Sequence, residues 1–438
     1  MLAAPVRGGS LGNEGVAYQS FYRSTPPKFA QGALSVPGAR YAKLGFAAVM
    51  LYSVELQAGT QDETTGIPFG SATLMPALRT ELHYDDNIFE SANDERDSII
   101  AVLIPSLGAQ LELGNSLYEL GYSAESASYF DSEDDDYVDH KVQAHANMQF
   151  SLRNNVTARA SFAAEHEDRG TGLTEGFDPT LAPNFNEPDE YEQTEASVRY
   201  TYGARGASGR LSFEAGYRDL QYQNHRPRTK FRDREDTSAT ATFYYRLRPK
   251  TLLVVQARAT AIDYAINQPQ QSTLDSDHYR YLIGVEWERS KQLSGAIKAG
   301  YQQKRFTSAS RDDFSAPSWE ADLTWSPRSY MHFNFKTDRS TEETNGGGDF
   351  IDVQRISTEW THEWSERVQS VLGVAYVDEE YENFDRDEQV TEFAGNLAYQ
   401  LKRWIALEIG TRYRDRSSNI DLLNFNRSVI SVGIDIAI

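Results

Sequence analysis

From about residue 74 to its last residue the chain alternates apolar and polar side chains with a period of two. Few folds are compatible with that pattern over such a length. In an extended strand successive side chains point to opposite faces, so each run carries one apolar and one polar face. Leu74, Pro76, Leu78, Thr80, Leu82 and Tyr84 oppose Met75, Ala77, Arg79, Glu81 and His83. Tyr281, Ile283, Val285 and Trp287 oppose Leu282, Gly284, Glu286 and Glu288. The last run sets Ile430, Val432, Ile434, Ile436 and Ile438 against Val429, Ser431, Gly433, Asp435 and Ala437, an aliphatic face on an otherwise polar chain.

The connections carry a second regularity. Tight polar turns fall near Gly114-Asn115, Arg153-Asn154-Asn155, Arg205-Gly206-Ala207, Arg248-Pro249-Lys250, Lys291-Gln292, Pro327-Arg328, Ser365-Glu366-Arg367 and Lys402-Arg403. Longer connections such as "SANDERD", "HRPRTKFRDRE" and "NQPQQSTLDS" lie between them, and short alternates with long. Sandwiches and propellers do not sort their turns in this way, and a solenoid would repeat residues, not only a pattern. The expectation is an all-β chain: a single transmembrane antiparallel β-barrel of about eighteen strands, with short periplasmic turns and longer extracellular loops. The closing strand at 430–438 pairs with the first, and its aliphatic face meets lipid.

Composition agrees. A net charge of −21 argues against nucleic acid as a partner, since phosphates require clustered Lys and Arg. The absence of cysteine excludes thiol catalysis and cysteine-ligated metals. No apolar run reaches the roughly 20 residues of a spanning helix, so only a closed barrel satisfies every backbone group in lipid. Residues 44–56, "LGFAAVMLYSVEL", follow Arg40 and Lys43 and precede Gln57-Ala58-Gly59, which reads as a secretory signal; a buried helix is the alternative. The residues ahead of this stretch exceed an ordinary n-region, so translation is expected to begin downstream of Met1. Residues 1–58 are thus assigned to an export signal region, 59–73 to a short periplasmic lead-in and 74–438 to a barrel in the bacterial outer membrane, exported through the periplasm.

Strands about 4.8 Å apart and tilted about 40° give eighteen of them a diameter of roughly 35 Å, too wide for side chains alone to fill. A water-filled lumen follows unless loops fold in. The lead-in is too short for a plug domain, which argues against a TonB-dependent transporter. The polar parity places Arg79, Glu81, Glu112, Arg159, Arg199, Glu214, Arg218, Arg246, Arg258, Glu286, Lys298, Glu320, Asp322, Lys336, Glu359, Glu392, Glu408, Arg412 and Arg414 on the lumen side as pore-lining candidates. Both signs are present, so strong ion selectivity is not indicated; mutually paired charges on a wet wall are the simplest reading of any one of them.

Four loop features are open at this level. The longest connection, residues 170–190 with Pro179, Pro183 and Pro188, either folds inward as a constriction, covers the mouth or forms a surface Ω-type loop. The acidic run 132–137 reads as a solvated external loop, with Ca²⁺ binding as the alternative. The basic run 226–234 reads as a soluble loop tip, with lipopolysaccharide phosphates as the alternative. Tyr84, Phe89, Tyr129, Phe130, Tyr137, Tyr191, Tyr381 and Phe384 near long loops, and Trp325, Tyr330, Trp364 and Trp404 near short turns, are expected to form two interfacial girdles. No G-x-S-x-G, H-E-x-x-H or phosphate-loop motif occurs, so neither an enzyme nor a cofactor is expected.

The first strand and its exit, "ALRTELHYDDNIF" at 77–89, resemble the opening of the outer-membrane β-barrel porin family 2, and the pattern extends the resemblance over about residues 70–438. The resemblance implies an integral outer-membrane component, found in exopolysaccharide and capsule loci, through which polysaccharide leaves the cell. Its implied partners are outer-membrane lipid and lipopolysaccharide, a periplasmic polysaccharide-export protein and an inner-membrane polymerase system. A passive diffusion porin for small hydrophilic solutes and a barrel serving as an anchor are the alternatives. Within the motif, Asp86 and Asn87 are expected to bond nearby backbone and end the strand, and Phe89 to anchor at the outer interface.

Overall fold

The computed structural model describes residues 66–176, 186–287 and 292–438. The expected signal region lies outside the described residues. A short lead-in strand β1 (Ile67–Phe69) precedes β2 (Ala72–Asp85), β3 (Ser98–Leu113), β4 (Ser116–Tyr129), β5 (Tyr137–Ser151), β6 (Asn154–Glu167), β7 (Asp189–Tyr202), β8 (Gly209–Tyr222), β9 (Arg234–Arg248) and β10 (Thr251–Tyr264). The second half comprises β11 (Ser276–Trp287), β12 (Leu293–Phe306), β13 (Phe314–Arg328), β14 (Met331–Glu342), β15 (Ile351–Ser365), β16 (Val368–Tyr381), β17 (Asp387–Lys402), β18 (Ile405–Ser418) and β19 (Phe425–Ala437).

Each strand from β2 to β19 pairs antiparallel with its sequence neighbours, and β19 returns to β2 from Ala437↔Ala77 to Val429↔Asp85. The sheet therefore closes as an eighteen-strand barrel without a free edge, and the terminal strand is the closing one, as its pattern predicts. Below the point where β19 ends, β1 pairs with the start of β2 through Ile67↔Leu74 and extends the seam at the short-turn end.

The two-residue period is realised as two faces of opposite chemistry. Ile430, Val432 and Ile434 are 54%, 49% and 41% exposed on the outer face. Leu82, Ile283, Ile356, Leu397 and Ile409 are likewise exposed, which is stable only against lipid. The short-turn girdle is present: Trp325, Tyr330, Trp364 and Trp404 are all exposed.

The outer girdle requires correction. Tyr84, Phe130 and Phe384 are exposed, but Phe89, Tyr129, Tyr191 and Tyr381 are buried inside the barrel. Phe89 is no outer anchor; with Ile88 it packs on the inward-facing Ile100 and Val102 and on Ala127 and Tyr129. The strand-ending role of the motif stands. β2 ends at Asp85, Asn87 donates through Nδ2 to the carbonyls of Ser91 and Asn426 at 2.9 Å, and Asp86 accepts from the Ser428 amide at 2.6 Å. These bonds turn the chain inward and tie the first loop to the closing strand.

Candidate permeation path

All nineteen sequence-predicted residues lie on the face opposite the exposed apolar side chains. Most are engaged with a wall neighbour. Arg79 bonds Glu81 and reaches Glu408 at 3.2 Å across β19. Arg199 pairs with Glu214, Lys298 with Glu320, and Arg412 with Glu392 at 3.2 Å. Arg218 donates to Gln193 at 3.1 Å and lies 3.5 Å from Asp236. Asp322 and Lys336 are register partners, and Glu359 accepts from Asn334 at 3.2 Å. Glu286 is buried on β11. Arg246 donates to the carbonyls of Arg205 and Pro249, so it holds turns at the periplasmic end. Glu112 and Arg258 are exposed on the inner wall, and Arg159 is treated below. Alternating signs on neighbouring strands explain how so polar a face is stable: most of these charges find a counterpart across the ladder.

The sequence left open whether the longest connection folds into the outer mouth, and the contacts that hold it there are long-range. Arg414 leaves the wall to bond Glu90 of the first loop at 2.5 Å, and Arg427 holds both Asp85 at 2.5 Å and Glu90 at 3.2 Å. The first loop is thereby clamped inside. Upon it lies the start of the β6–β7 connection: the Arg169 guanidinium is 4.8 Å from the centre of the Phe89 ring and donates to Asp135 at 2.6 Å. Gly170, at φ +87°, passes so close that a Cβ would sit 1.8 Å from the Phe89 carbonyl oxygen. Only glycine fits there.

From this root, residues 168–176 cross the opening. Glu175 accepts from Arg386 at 2.7 Å, from Arg416 at 3.1 Å and from Asn345 at 3.0 Å. Counted from β6 through β5, β4, β3, β2, β19 and β18 to β17, this anchorage is seven strands away in a ring of eighteen, close to diametrically opposite. Burial opposes the charge on Glu175, but the Arg416 and Arg386 guanidiniums outweigh it and hold the carboxyl below its ordinary range. A second inward element, the β14–β15 connection, places Glu343 where Tyr264 donates to it at 2.8 Å and Lys304 pairs with it. Burial is again outweighed, by Lys304 and then Arg234, so Glu343 too stays below the usual carboxylate range.

These contacts settle three of the open loop features. The described part of the longest connection folds inward; Pro179 and Pro183 lie outside the described residues. The acidic run is not simply solvated, since Asp135 is buried against Arg169, and no acidic group suited to a metal occurs among the described residues. The basic run is no soluble tip: Arg226 pairs with Asp233, Arg228 with Asp189, and the buried Arg232 with Glu167 at 2.7 Å. One available signal was the spacing of Gly170, Gly172 and Gly176, all at positive φ, which marks a tightly folded segment.

The profile described as "Putative beta-barrel porin 2" matches residues 62–438. Among solved structures, the chain is similar to OpdO of Pseudomonas aeruginosa, with 10% identity, a TM-score of 0.46, and coverage of 84% of this chain and 97% of that one. It is similar to OccAB3 of Acinetobacter baumannii, with 12% identity, a TM-score of 0.45, and coverage of 84% and 100%. The FrpB iron transporter of Neisseria meningitidis gives 8% identity, a TM-score of 0.41, and coverage of 83% and 81%. No curated protein matches the chain.

Proposed function

The chain belongs to the family described as putative beta-barrel porin 2, a β-barrel of the bacterial outer membrane, and we propose that it is a diffusion channel for small hydrophilic solutes. One observation carries the choice of cargo. The chain's own segment 168–176 spans the outer mouth and is bonded on both sides, to Asp135 through Arg169 and to Arg386 and Arg416 through Glu175. Small solutes pass around such an element, whereas a sugar polymer needs a continuous clear bore. The crossing segment therefore weighs against the exopolysaccharide or capsular-polysaccharide export that the family resemblance implies, and against the export partners that would come with it.

The wall chemistry also favours this reading. Asn147, Asn155 and Gln149 form a cluster of neutral amides near the periplasmic end, with Asn155 donating to Asn147 at 2.6 Å and to Gln149 at 3.2 Å. Paired charges and amides exchange hydrogen bonds with water and with hydroxyls of a passing solute at little net cost. No step of this activity calls on catalysis. The test is swelling of liposomes containing the purified chain, with arabinose and a long dextran compared. Entry of arabinose with exclusion of dextran supports the proposal; entry of dextran, or of neither, overturns it.

A further inference from the structure

We propose that the inner wall of β5–β9 holds a binding station for a singly charged oxyanion, a carboxylate or phosphodiester group on the solute, centred on Arg159. The proposal names a solute class and rests on the small-solute reading.

Arg159 is 6% exposed, its Nη2 is buried without a hydrogen-bond partner, and it enters no ion pair among the described residues. That sets it apart from Arg79, Arg199, Arg218, Arg412 and Arg414, each within reach of a carboxylate. Arg159 lies within electrostatic range of Arg199 and Glu214, and Glu214 is already bonded to Arg199. Two guanidiniums thus share one carboxylate. An uncompensated buried cation is costly, and a second anion relieves that cost.

The register supplies room for it. His145, Arg159, Ser197, Gly216 and Ser238 stand side by side on five adjacent strands. Beside the guanidinium, the last three form a half-buried shelf with little or no side chain. An arginine fork beside small residues suits the paired oxygens of a carboxylate or phosphodiester. Two neighbours set the charge: Glu195 occupies the next row beside Arg218, and Glu119 lies 2.8 Å from His145. They repel a second negative charge, so the station is matched to a monoanion.

The test is isothermal titration of acetate into the full chain in detergent and chloride-free buffer, with sulfate as the dianion. Acetate is expected to bind more tightly than sulfate. Arg159→Gln is expected to weaken acetate about tenfold or more, as for loss of a charged hydrogen bond. Ser197→Asp places a carboxylate opposite Arg159 in register; it is expected to abolish acetate binding and raise the thermal midpoint. Equal acetate binding by wild type and Arg159→Gln, no binding by wild type, or undiminished binding by Ser197→Asp each overturns the proposal. The outcomes separate it from the reading beneath it. Arabinose entry without Arg159-dependent acetate binding removes the station and leaves the channel. Acetate binding without arabinose entry removes the channel and leaves the station.

Discussion

Replacing Glu175 by Gln removes the charge that fixes the far end of the crossing segment while keeping its size. The carboxylate is buried between two guanidiniums, and Asn345 donates to it as well. Removing one partner of a buried ion pair costs about 3–5 kcal/mol, because the other charge is left uncompensated. Here Arg386 keeps Glu388 at 2.8 Å and Arg416 keeps it at 3.9 Å, so the lower end applies, about 3 kcal/mol. At about 1.4 kcal/mol per tenfold, the equilibrium between seated and released segment shifts about a hundredfold. Single-channel recording in planar bilayers reads this directly: Glu175→Gln is expected to show longer or larger open events than wild type. Currents indistinguishable from wild type would refute the idea that the Glu175 anchorage narrows the mouth.

The same anchorage gives a pH dependence. The folded pKa of Glu175 is depressed, so its contribution is fully present above the ordinary carboxylate value of about 4.5 and is lost as pH falls through the folded value. Conductance is expected to be steady near neutrality and to rise only in strong acid, with Glu175→Gln flattening the rise. Gly170→Ala meets both a positive φ and the Phe89 carbonyl, and is expected to unseat the segment's root, read as new protease cleavage near residues 168–176. Arg427→Ala leaves the buried Asp85 without its guanidinium at the barrel seam and is expected to cost about 3–5 kcal/mol in urea unfolding. Val432→Arg, at the middle of β19, places a charge against lipid and is expected to cost about 2–4 kcal/mol, tested by the same titration.

The barrel was legible because its rules are local. A period of two fixes each strand and its faces, and alternating turn lengths fix which neighbour each strand pairs with. Ile430 to Ile438 illustrate this: their parity alone placed them on lipid, and β19 closes on β2 as that implies. The nineteen inner-wall candidates follow from the same parity. The narrowed mouth follows from no local rule. Glu175 meets Arg386 and Arg416 across more than two hundred residues of chain, and Glu90 meets Arg414 and Arg427 across still more. Phe89 shows the cost of reading a loop aromatic by position alone: at a strand end it looks like an interfacial anchor, yet the Asp86 and Asn87 bonds turn it into the barrel.

The most direct measurement is polymer exclusion: single-channel current of the purified full chain in planar bilayers, bathed in polyethylene glycols of graded size. A channel for small solutes with its outer mouth crossed by residues 168–176 gives a measurable current that only the smallest polymers reduce from the extracellular side, with larger ones admitted once Glu175 is replaced by Gln. Equal access of large polymers to the wild-type channel would contradict it, as would the absence of any current.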